Sequence, residues 1–293
     1  MSLYHIPVLL HETISALEVK PDGVYVDATF GGGGHSRAIL ERLSPKGRLI
    51  VMDQDSDALA NVPQDERVLP AHANFRFIHN FVRHHGFERV DGILADLGVS
   101  SHQFDTGERG FSFRFDAELD MRMNPQAGLS AKEIVNSYPA ADLERLFRDY
   151  GEIPNAGSVA SLICRFRGET PIETTGQLCD AIAKATPNFA EHKFLAKVFQ
   201  ALRIEVNSEM MALEKFIPMA VRSLAPGGVL AVITYHSLED RIVNNAIRDA
   251  QTEGLVKKVN SKPILPGEQE ISDNTRARSA KLRVARKNGE EKR

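Results

Sequence analysis

The clearest pattern in the sequence lies between Val24 and Leu43, which reads Val-Tyr-Val-Asp-Ala-Thr-Phe, then Gly-Gly-Gly-Gly, then His-Ser-Arg-Ala-Ile-Leu-Glu-Arg-Leu. The β-branched and aromatic residues predict a strand over 24–30. The glycines at 31–34 predict a tight loop, and apolar residues at helical spacing predict a helix over 35–43. A strand, a glycine loop and a helix in this order are typical of an α/β protein that binds a ligand at the loop.

Strand and helix patterns alternate beyond this unit. Residues 47–53 predict a buried second strand that ends at Asp53. Further strands are predicted over 67–73, 90–96 and 229–235, and Leu-Ala-Pro-Gly-Gly at 224–228 predicts a turn before the last strand. Strands that alternate with helices indicate the α/β class, with a doubly wound and mostly parallel sheet.

The middle of the chain has a different pattern. From Asp105 to Asn207 no β-branched run occurs, while helical patterns follow one another. Ser130-Ala-Lys-Glu133 matches a capping box, and a helix over 140–150 is predicted to end at Gly151. Other helices are predicted over 156–167, 175–185 and 193–204. The sequence therefore predicts one domain from residues 1–104 and 208–293, and an all-helical insertion at 105–207.

Composition excludes several classes of protein. The 293 residues are 42% hydrophobic and 26% charged, which predicts a globular chain with a sizeable core. Neither a signal peptide nor a long apolar run is visible, so we expect a soluble, cytoplasmic protein without a membrane partner. The net charge of -3 argues against nucleic acid bound over the whole surface. Cys164 and Cys179 lack the spacing of a disulfide framework or zinc site, and no metal is expected.

The glycine loop is the first feature with chemical content. Glycines let a ligand approach the backbone closely, which suits a pyrophosphate or the methionine part of S-adenosylmethionine. A dinucleotide motif would place a third glycine at Ser36, so the loop fits a methyltransferase better. Asp27 before the loop suits a nearby amino-acid moiety, and Asp53, about twenty residues on, has the spacing of a ribose-binding acid. A purely structural turn and a simple strand-end acid are the alternatives.

Asp96 begins the most informative run, Asp-Leu-Gly-Val-Ser-Ser-His-Gln over 96–103. It follows a predicted buried strand at the edge where open α/β sheets bind ligands. Methyl transfer to an amine needs an acceptor there that aims the nitrogen lone pair at the methyl carbon, and Asp96 could serve. Its alternative role is to cap the following loop. Methylation of cytosine at ring carbon C5 uses a cysteine nucleophile, and neither cysteine follows a predicted sheet strand.

Several motifs resemble the bacterial ribosomal RNA small subunit methyltransferase H family, also called MraW. The resemblance runs nearly end to end and is carried by Asp27-Ala-Thr-Phe-Gly-Gly-Gly-Gly-His-Ser36, Asp96-Leu-Gly-Val-Ser-Ser101, Glu108-Arg-Gly-Phe-Ser-Phe113, Leu119-Asp-Met-Arg-Met123, Phe199-Gln-Ala-Leu-Arg-Ile-Glu-Val-Asn207, His236-Ser-Leu-Glu-Asp-Arg-Ile-Val243 and Arg276-Ala-Arg-Ser279.

The resemblance implies both an activity and a set of site residues. It implies a class I methyltransferase fold in which S-adenosylmethionine methylates N4 of one cytidine in the decoding region of small-subunit ribosomal RNA. The helical insertion is then the substrate-recognition domain. The RNA partner is expected within the assembled or assembling subunit. Cofactor contacts are implied at Gly33, Gly34, His35, Asp53, Phe75, Asp96 and Gln103.

Residues outside the cofactor set are assigned by pattern and by resemblance. His236 follows a predicted strand, and the family match favours a substrate or catalytic role beside Asp96, although a structural charge network fits equally well. Residues 108–122 combine arginines with phenylalanines, a composition suited to phosphate contact and base stacking, although each phenylalanine alone is more typical of a core. The basic residues over 276–287 suit phosphate contact or a solvated surface.

Three classes of function stay open at this point. An amino-methyltransferase of ribosomal RNA leads, followed by a methyltransferase of a protein or small molecule. A non-catalytic RNA-binding module or a nicotinamide-dependent oxidoreductase comes last. The module would not need the glycine loop, Asp53 and Asp96 together, and equilibrium binding of S-adenosylmethionine against NAD would separate the oxidoreductase. The sequence leaves open whether naked RNA or an assembled subunit is the substrate, whether the chain forms a homodimer, and which group accepts the amine proton.

Overall fold

A computed structural model describes residues 7–99, 103, 107–126 and 128–289. The chain divides into two compact units. The sheet unit comprises the described parts of Met1–Gly98 and Met210–Arg293, and the helical unit comprises those of Val99–Glu209. The limits expected from sequence were 104/105 and 207/208, and residues 104 and 105 lie outside the described residues.

The sheet unit is built on seven strands: β1 (Val24–Asp27), β2 (Arg48–Asp53), β3 (Val68–His72), β4 (Val90–Asp96), β5 (Leu224–Thr234), β6 (Val256–Lys258) and β7 (Lys281–Lys287). Their order is β3-β2-β1-β4-β5-β7-β6. Neighbours among β1 to β5 are parallel, whereas β7 is antiparallel to both β5 and β6. The strand order reverses between β1 and β4, which makes their carboxyl ends the expected place for a ligand.

Helices cover both faces of this sheet: α1 (Leu10–Leu17), α2 (Gly34–Leu40), α3 (Ser56–Leu59), α4 (Ile78–His84), and, after the helical unit, the helices over Glu209–Ser223, Ser237–Thr252 and Glu268–Asp273. Successive strand residues enter opposite cores, since Leu230 and Val232 pack with Phe216 while Ala231 and Ile233 pack with the α1 side. The predicted doubly wound α/β sheet is therefore confirmed.

Two predicted boundaries in the sheet unit were wrong. The first strand ends at Asp27 rather than Phe30, because the chain then bends: the Ala28 N–H donates to Leu94 O of β4, whereas the Phe30 N–H donates to Met52 O of β2. The predicted turn at 224–228 lies inside β5. Val90 pairs with Leu224 and Gly92 with Val229, so the Ala-Pro-Gly-Gly residues form an irregularity within the ladder.

The helical unit contains α5 (Ala131–Ser137), α6 (Ala140–Gly151), α7 (Ala156–Glu169), α8 (Thr175–Ile182) and α9 (Glu191–Asn207). The helix after Ser208 is therefore α10 (Glu209–Ser223), followed by α11 (Ser237–Thr252) and α12 (Glu268–Asp273). The predicted capping box of Ser130 and Glu133 is present, and Thr174 and Gln177 form a second one before α8.

The helix over 140–150 ends at Gly151, as the sequence predicted. Gly151 is the last residue of α6, and Glu152 after it takes the left-handed conformation with φ 49°. A Cβ at Gly151 would lie 3.0 Å from Lys197 O of α9 and 3.0 Å from the Ile153 side chain. The glycine therefore allows close packing rather than an unusual turn. Among the described residues, no helix is both long and apolar enough to cross a membrane.

Candidate active site

Three carboxylates end three neighbouring parallel strands of the sheet unit. Asp27 is the last residue of β1, Asp53 of β2 and Asp96 of β4. Because β1 pairs with both β2 and β4, the three residues lie at one edge of the sheet. This edge coincides with the reversal of strand order, so the structure brings the predicted acids to the expected ligand-binding edge.

The glycine loop between β1 and α2 is shaped by its own packing. Gly33 has φ +71°, and a Cβ there would lie 2.7 Å from the Phe30 ring. A Cβ at Gly34 would come far inside contact distance of the Pro7 ring, at 2.1 Å. Gly32, in contrast, has open space around its Cβ position. Gly33 and Gly34 are thus required by the fold as well as suited to close approach of a ligand.

Asp53 is held by main-chain donors. Its Oδ2 accepts from the Gly31 N–H at 2.9 Å, and its Oδ1 accepts from the Asp55 N–H at 2.9 Å. Burial raises the pKa of this carboxyl, and both hydrogen bonds oppose that rise. The Gln54 N–H also bonds to this carboxyl and lowers its pKa. A carboxylate offers about four acceptor positions, so one stays open for a ligand hydroxyl. The carboxylate therefore orders the glycine loop and can still accept from a ligand.

Asp96 is held by side chains instead. Its Oδ1 accepts from the Tyr235 hydroxyl at 2.8 Å, and its own N–H donates to Thr29 Oγ1 at 2.6 Å. The side chain is 24% exposed, so a ligand can reach it. Burial raises its pKa to about 7, the Tyr235 hydrogen bond opposes this, and the charges of Asp27 and Glu239 add to it. Asp96 is therefore a carboxylate that can gain or lose a proton near neutral pH.

His35 presents a lone pair to Asp96. Its Nε2 lies 3.2 Å from Val8 O, and a carbonyl can only accept, which assigns the ring proton to Nε2. Burial lowers the pKa of His35 to about 4, so the ring is neutral and Nδ1 is an acceptor. This Nδ1 lies 3.8 Å from Asp96 Oδ2. Two acceptors facing each other suit a ligand group that carries more than one N–H.

Asp27, which the sequence places near an amino-acid moiety, is deeply buried at the end of β1. Its exposure is 1%, and its oxygens accept from the Ser36 hydroxyl at 2.6 Å and the Thr29 N–H at 3.2 Å. Burial raises its pKa to about 6. Since Thr29 also accepts from Asp96, Asp27 supports the site from beneath.

Phe75 and Gln103 are the two remaining residues assigned to the cofactor. Phe75 is half-buried at the start of a short 3-10 helix, and its ring meets Phe216 edge to face with centroids 5.1 Å apart. Part of the ring is thus core and part is available to a flat ligand. Gln103 belongs to the helical unit and is 4% exposed. Ser100 to His102, in the same motif, lie outside the described residues.

His236 takes part in the network that begins α11. Its Nδ1 accepts from the Glu239 N–H at 3.4 Å, and Glu239 Oε2 accepts from the N–H groups of Tyr235 and His236 at 2.8 and 3.3 Å. His236 Nε2 is 3.1 Å from Glu239 Oε1, although the angles are not those of a hydrogen bond. These contacts favour the structural alternative for His236, in which it caps the helix.

Most of the predicted RNA-contacting cations are engaged within the protein. Arg122 forms two bonds to Asp120, and Arg109 donates to Arg122 O and Met123 O. In the basic tail, Arg283 and Lys281 pair with Asp240, and Arg286 pairs with Glu18. Phe111 is buried. Arg114, Phe115 and Arg278 are exposed, so they are the members of these groups best placed to meet a polyanion.

Tyr235 is the site residue that sequence reasoning missed. It was read as the last residue of an apolar strand, where a tyrosine is unremarkable. Its position directly before the His-Ser-Leu-Glu-Asp-Arg motif was the one available signal, since strand ends in this sheet carry the polar groups.

Comparison with known proteins gives one consistent family. The model of the MraW methylase family matches residues 2–288. Ribosomal RNA small subunit methyltransferase H of Flavobacterium johnsoniae is 53% identical over 295 residues, covering 97% of this chain and 98% of that protein. The protein of the same name from Bacteroides fragilis is 51% identical, covering 97% of each chain. A putative rRNA-methylase structure from Clostridium thermocellum is 12% identical with a TM-score of 0.49, covering 97% and 100%.

The resemblance found in the motifs is therefore confirmed over nearly the whole length, and with it the expected class I methyltransferase fold. The chain belongs to the MraW methylase family.

Proposed function

We propose that this chain transfers a methyl group from S-adenosylmethionine to the exocyclic N4 amine of a cytidine in the decoding region of small-subunit ribosomal RNA. The names of its half-identical relatives support small-subunit ribosomal RNA as the substrate. The observation that carries the chemistry is Asp96, a partly exposed carboxylate at the edge where the sheet should bind a ligand.

The residues at the strand ends suit this cofactor. Asp53, already oriented by main-chain donors, can accept from a ribose hydroxyl. The open space at Gly32 lets a ligand approach the loop that contains Gly33 and Gly34, and Phe75 offers part of a ring to adenine. The carboxylates at this edge also favour a cationic ligand. When bound, S-adenosylmethionine supplies the methyl group.

Asp96 then governs the amine. The lone pair of a cytosine amine is delocalised into the ring, so the nitrogen is a weak nucleophile. Asp96 accepts a hydrogen bond from it, which orients the amine and favours a pyramidal nitrogen. As the C–N bond forms, positive charge develops on nitrogen, and Asp96 takes one amine proton to leave a neutral product. Because the pKa of Asp96 is raised to about 7, the proton can afterwards leave to solvent.

The cysteines argue against methylation at cytosine C5, which requires a thiolate nucleophile. Cys164 lies within α7 and Cys179 within α8, both in the helical unit and both half-buried. Burial raises the pKa of Cys179 to about 11, so it is a neutral thiol at physiological pH. Neither cysteine ends a strand of the sheet.

We assign substrate recognition to the predicted insertion at 105–207. Within it, Arg114 and Phe115 are exposed side by side, with 51% of Phe115 accessible, and together they can contact a phosphate and stack on a base. Replacing both by alanine should weaken RNA binding roughly tenfold while cofactor affinity stays unchanged. Equal RNA affinity in the folded double variant would contradict this assignment.

Nucleoside mass spectrometry tests the function. Small ribosomal subunits and naked small-subunit RNA from cells lacking the family enzyme are incubated with the protein and methyl-labelled S-adenosylmethionine. We expect label in N4-methylcytidine, at a single position in the decoding region. Label in 5-methylcytidine, in another nucleoside, or only in protein would overturn the proposal.

Two matched variants show whether the label depends on this site. Asp96→Asn should abolish most of the incorporation. Asp91→Asn changes the same residue type at the other end of β4, where Asp91 bonds to Lys20 and the Val24 N–H, and should retain it.

A further inference from the structure

Tyr235 is the side chain that fixes one oxygen of Asp96. Its hydroxyl donates to Asp96 Oδ1 at 2.8 Å, across 139 residues of sequence. The aromatic ring lies against Gly98, where a Cβ would be 3.4 Å from Tyr235 Cδ2. Gly98 also has φ +98°, a conformation that favours glycine. Gly98, which has no side chain, therefore leaves room for the Tyr235 ring.

The main chain of Tyr235 is fixed as well. Its N–H donates to Glu239 Oε2 at 2.8 Å, and Glu239 is 2% exposed. Glu239 belongs to the capping box that begins α11, so the helix end sets the point from which the tyrosine side chain starts. With both its backbone and its ring held, Tyr235 has little freedom to release Asp96.

We propose that Tyr235 is a positioning residue for the methyl transfer: its hydroxyl holds Oδ1 of Asp96, so that Oδ2, the oxygen nearer His35, receives the amine proton. This inference rests on the proposed function. In the step, the N–H bond of the amine breaks and an O–H bond forms at Oδ2. The hydroxyl proton of Tyr235 stays on its own oxygen throughout, since the pKa of Tyr235 is raised well above its usual value by burial and by Asp96.

Tyr235 differs from the charged groups around Asp96 in its effect on the pKa of that carboxyl. Asp27 from β1 and Glu239 from α11 are acids that raise the pKa of Asp96, and burial raises it further. His35 from α2 is neutral. Within the described part of the chain, the Tyr235 hydrogen bond favours the ionised carboxylate. Loss of the hydroxyl should therefore move the titration of Asp96 to higher pH.

The test compares Tyr235→Phe with the wild type over a range of pH. The rate of single-turnover methylation is measured at saturating cofactor and RNA. The acidic limb of the pH–rate profile, in which the rate rises with pH, reports ionisation of Asp96. In Tyr235→Phe we expect the rise of the rate to occur about one pH unit higher than in the wild type. Much of the rate should be recovered at high pH, and the KM for cofactor should be unchanged. An unmoved limb would overturn the proposal, as would a uniform loss of rate at all pH values.

The matched control is Tyr138→Phe. Tyr138 also donates its hydroxyl to a carboxylate, Glu205 Oε1 at 3.0 Å, within the helical unit. Tyr138→Phe thus also removes a tyrosine hydroxyl that donates to a carboxylate, but far from Asp96 in sequence. The acidic limb of the pH–rate profile should therefore not move in this variant. A limb that moves equally in both variants would contradict a specific role for Tyr235.

A second measurement does not depend on activity. Carbon-13 NMR of the cofactor-free protein follows the Asp96 carboxyl, assigned by its loss in Asp96→Asn, and its titration should shift upward in Tyr235→Phe. If the wild type fails to methylate RNA, the proposed function fails while this shift still tests the hydrogen bond. Should Tyr235→Phe not fold, 3-fluorotyrosine at position 235 is a stronger donor and should shift the titration downward; no shift would overturn the proposal.

Discussion

The carboxyl ends of β2 and β4 carry the same residue in two different electrostatic settings. Asp53 ends β2 with each oxygen bonded to a main-chain N–H, from Gly31 and from Asp55. Asp96 ends β4 with one oxygen bonded to a tyrosine hydroxyl and the other facing the lone pair of His35. Burial raises the pKa of both, and that of Asp96 reaches about 7.

The difference matches the roles proposed for the two residues, Asp53 in binding the cofactor and Asp96 in the reaction. Main-chain donors stay fixed through a reaction, so Asp53 is suited to hold a ligand as an anion. Among the described residues, Asp96 has fewer donors, so its negative charge is less stabilised and a proton can be taken up. The position at a strand end thus places each carboxylate at the ligand-binding edge of the sheet. The number of hydrogen-bond donors to it determines how readily it takes up a proton.

The largest expected effect is on the rate of methyl transfer in Asp96→Asn. The amide keeps the shape and can still accept from Tyr235, but it cannot take the amine proton. We expect kcat to fall about 10² to 10³-fold with little change in RNA affinity. Single-turnover rates at saturating cofactor measure this, with Asp91→Asn as the control on the same strand.

A near wild-type rate in Asp96→Asn would show that Asp96 does not take the amine proton, so that it would not differ from Asp53 in this respect. If only the KM for cofactor rose, Asp96 would be a positioning group for the cofactor. The acceptor would then be a main-chain carbonyl after β4 or His236.

Asp53→Ala should have the next largest effect, on cofactor affinity. It removes the expected bonds to ribose and also the acceptor that holds the Gly31 N–H. We expect affinity to fall by roughly 1.5 to 3 kcal/mol in calorimetry of the folded variant. Asp53→Asn keeps one acceptor oxygen and should lose less. Unchanged affinity in Asp53→Ala would show that Asp53 only orders the loop.

The pH dependence of the rate should follow Asp96 and not Asp53. In the proposed mechanism the reaction requires the ionised Asp96, whose pKa is raised to about 7. The single-turnover rate should therefore rise with pH and be about tenfold lower one unit below this value than on the plateau. A rate that is flat from about pH 5 to pH 8 would mean that no group of raised pKa controls the step.

The smallest expected effect concerns stability. The folded-state pKa of Asp96 lies above its unfolded value, so the folded chain binds the extra proton between about pH 4 and pH 7. The stabilisation from that proton is complete at low pH and lost as pH rises through the folded value. In Asp96→Asn the side chain does not ionise, so this pH-dependent loss of stability is absent. The amide NH2 of the asparagine can also donate to His35.

Chemical denaturation of the cofactor-free protein checks this sign. At about pH 8 the free energy of unfolding of Asp96→Asn should exceed that of the wild type by about 1 kcal/mol, a value reduced for the exposed part of the side chain. Below about pH 4, where Asp96 is protonated in both the folded and the unfolded chain, the two should agree. A variant destabilised at both pH values would show that the anion is better stabilised than the contacts of Asp96 indicate.

The sequence by itself determined the alternation of strands and helices and the acids at the strand ends. Both follow from local patterns: β4 runs over the predicted 90–96, and Asp53 ends β2 as expected. The capping box at Ser130 was equally readable, because its partners are three residues apart. The bulge within β5 was not, since proline and glycines read as a turn until the pairing with β4 is known.

The tertiary structure alone decided what each acid can do. The tautomer of His35 depends on Val8 O, and the bond to Asp96 comes from Tyr235, which is distant in sequence. The bond of Asp27 to the Ser36 hydroxyl likewise depends on how the glycine loop folds back. The pKa of a carboxyl depends on its burial and on the donors and charges around it, and these come from segments that only the packed fold brings together.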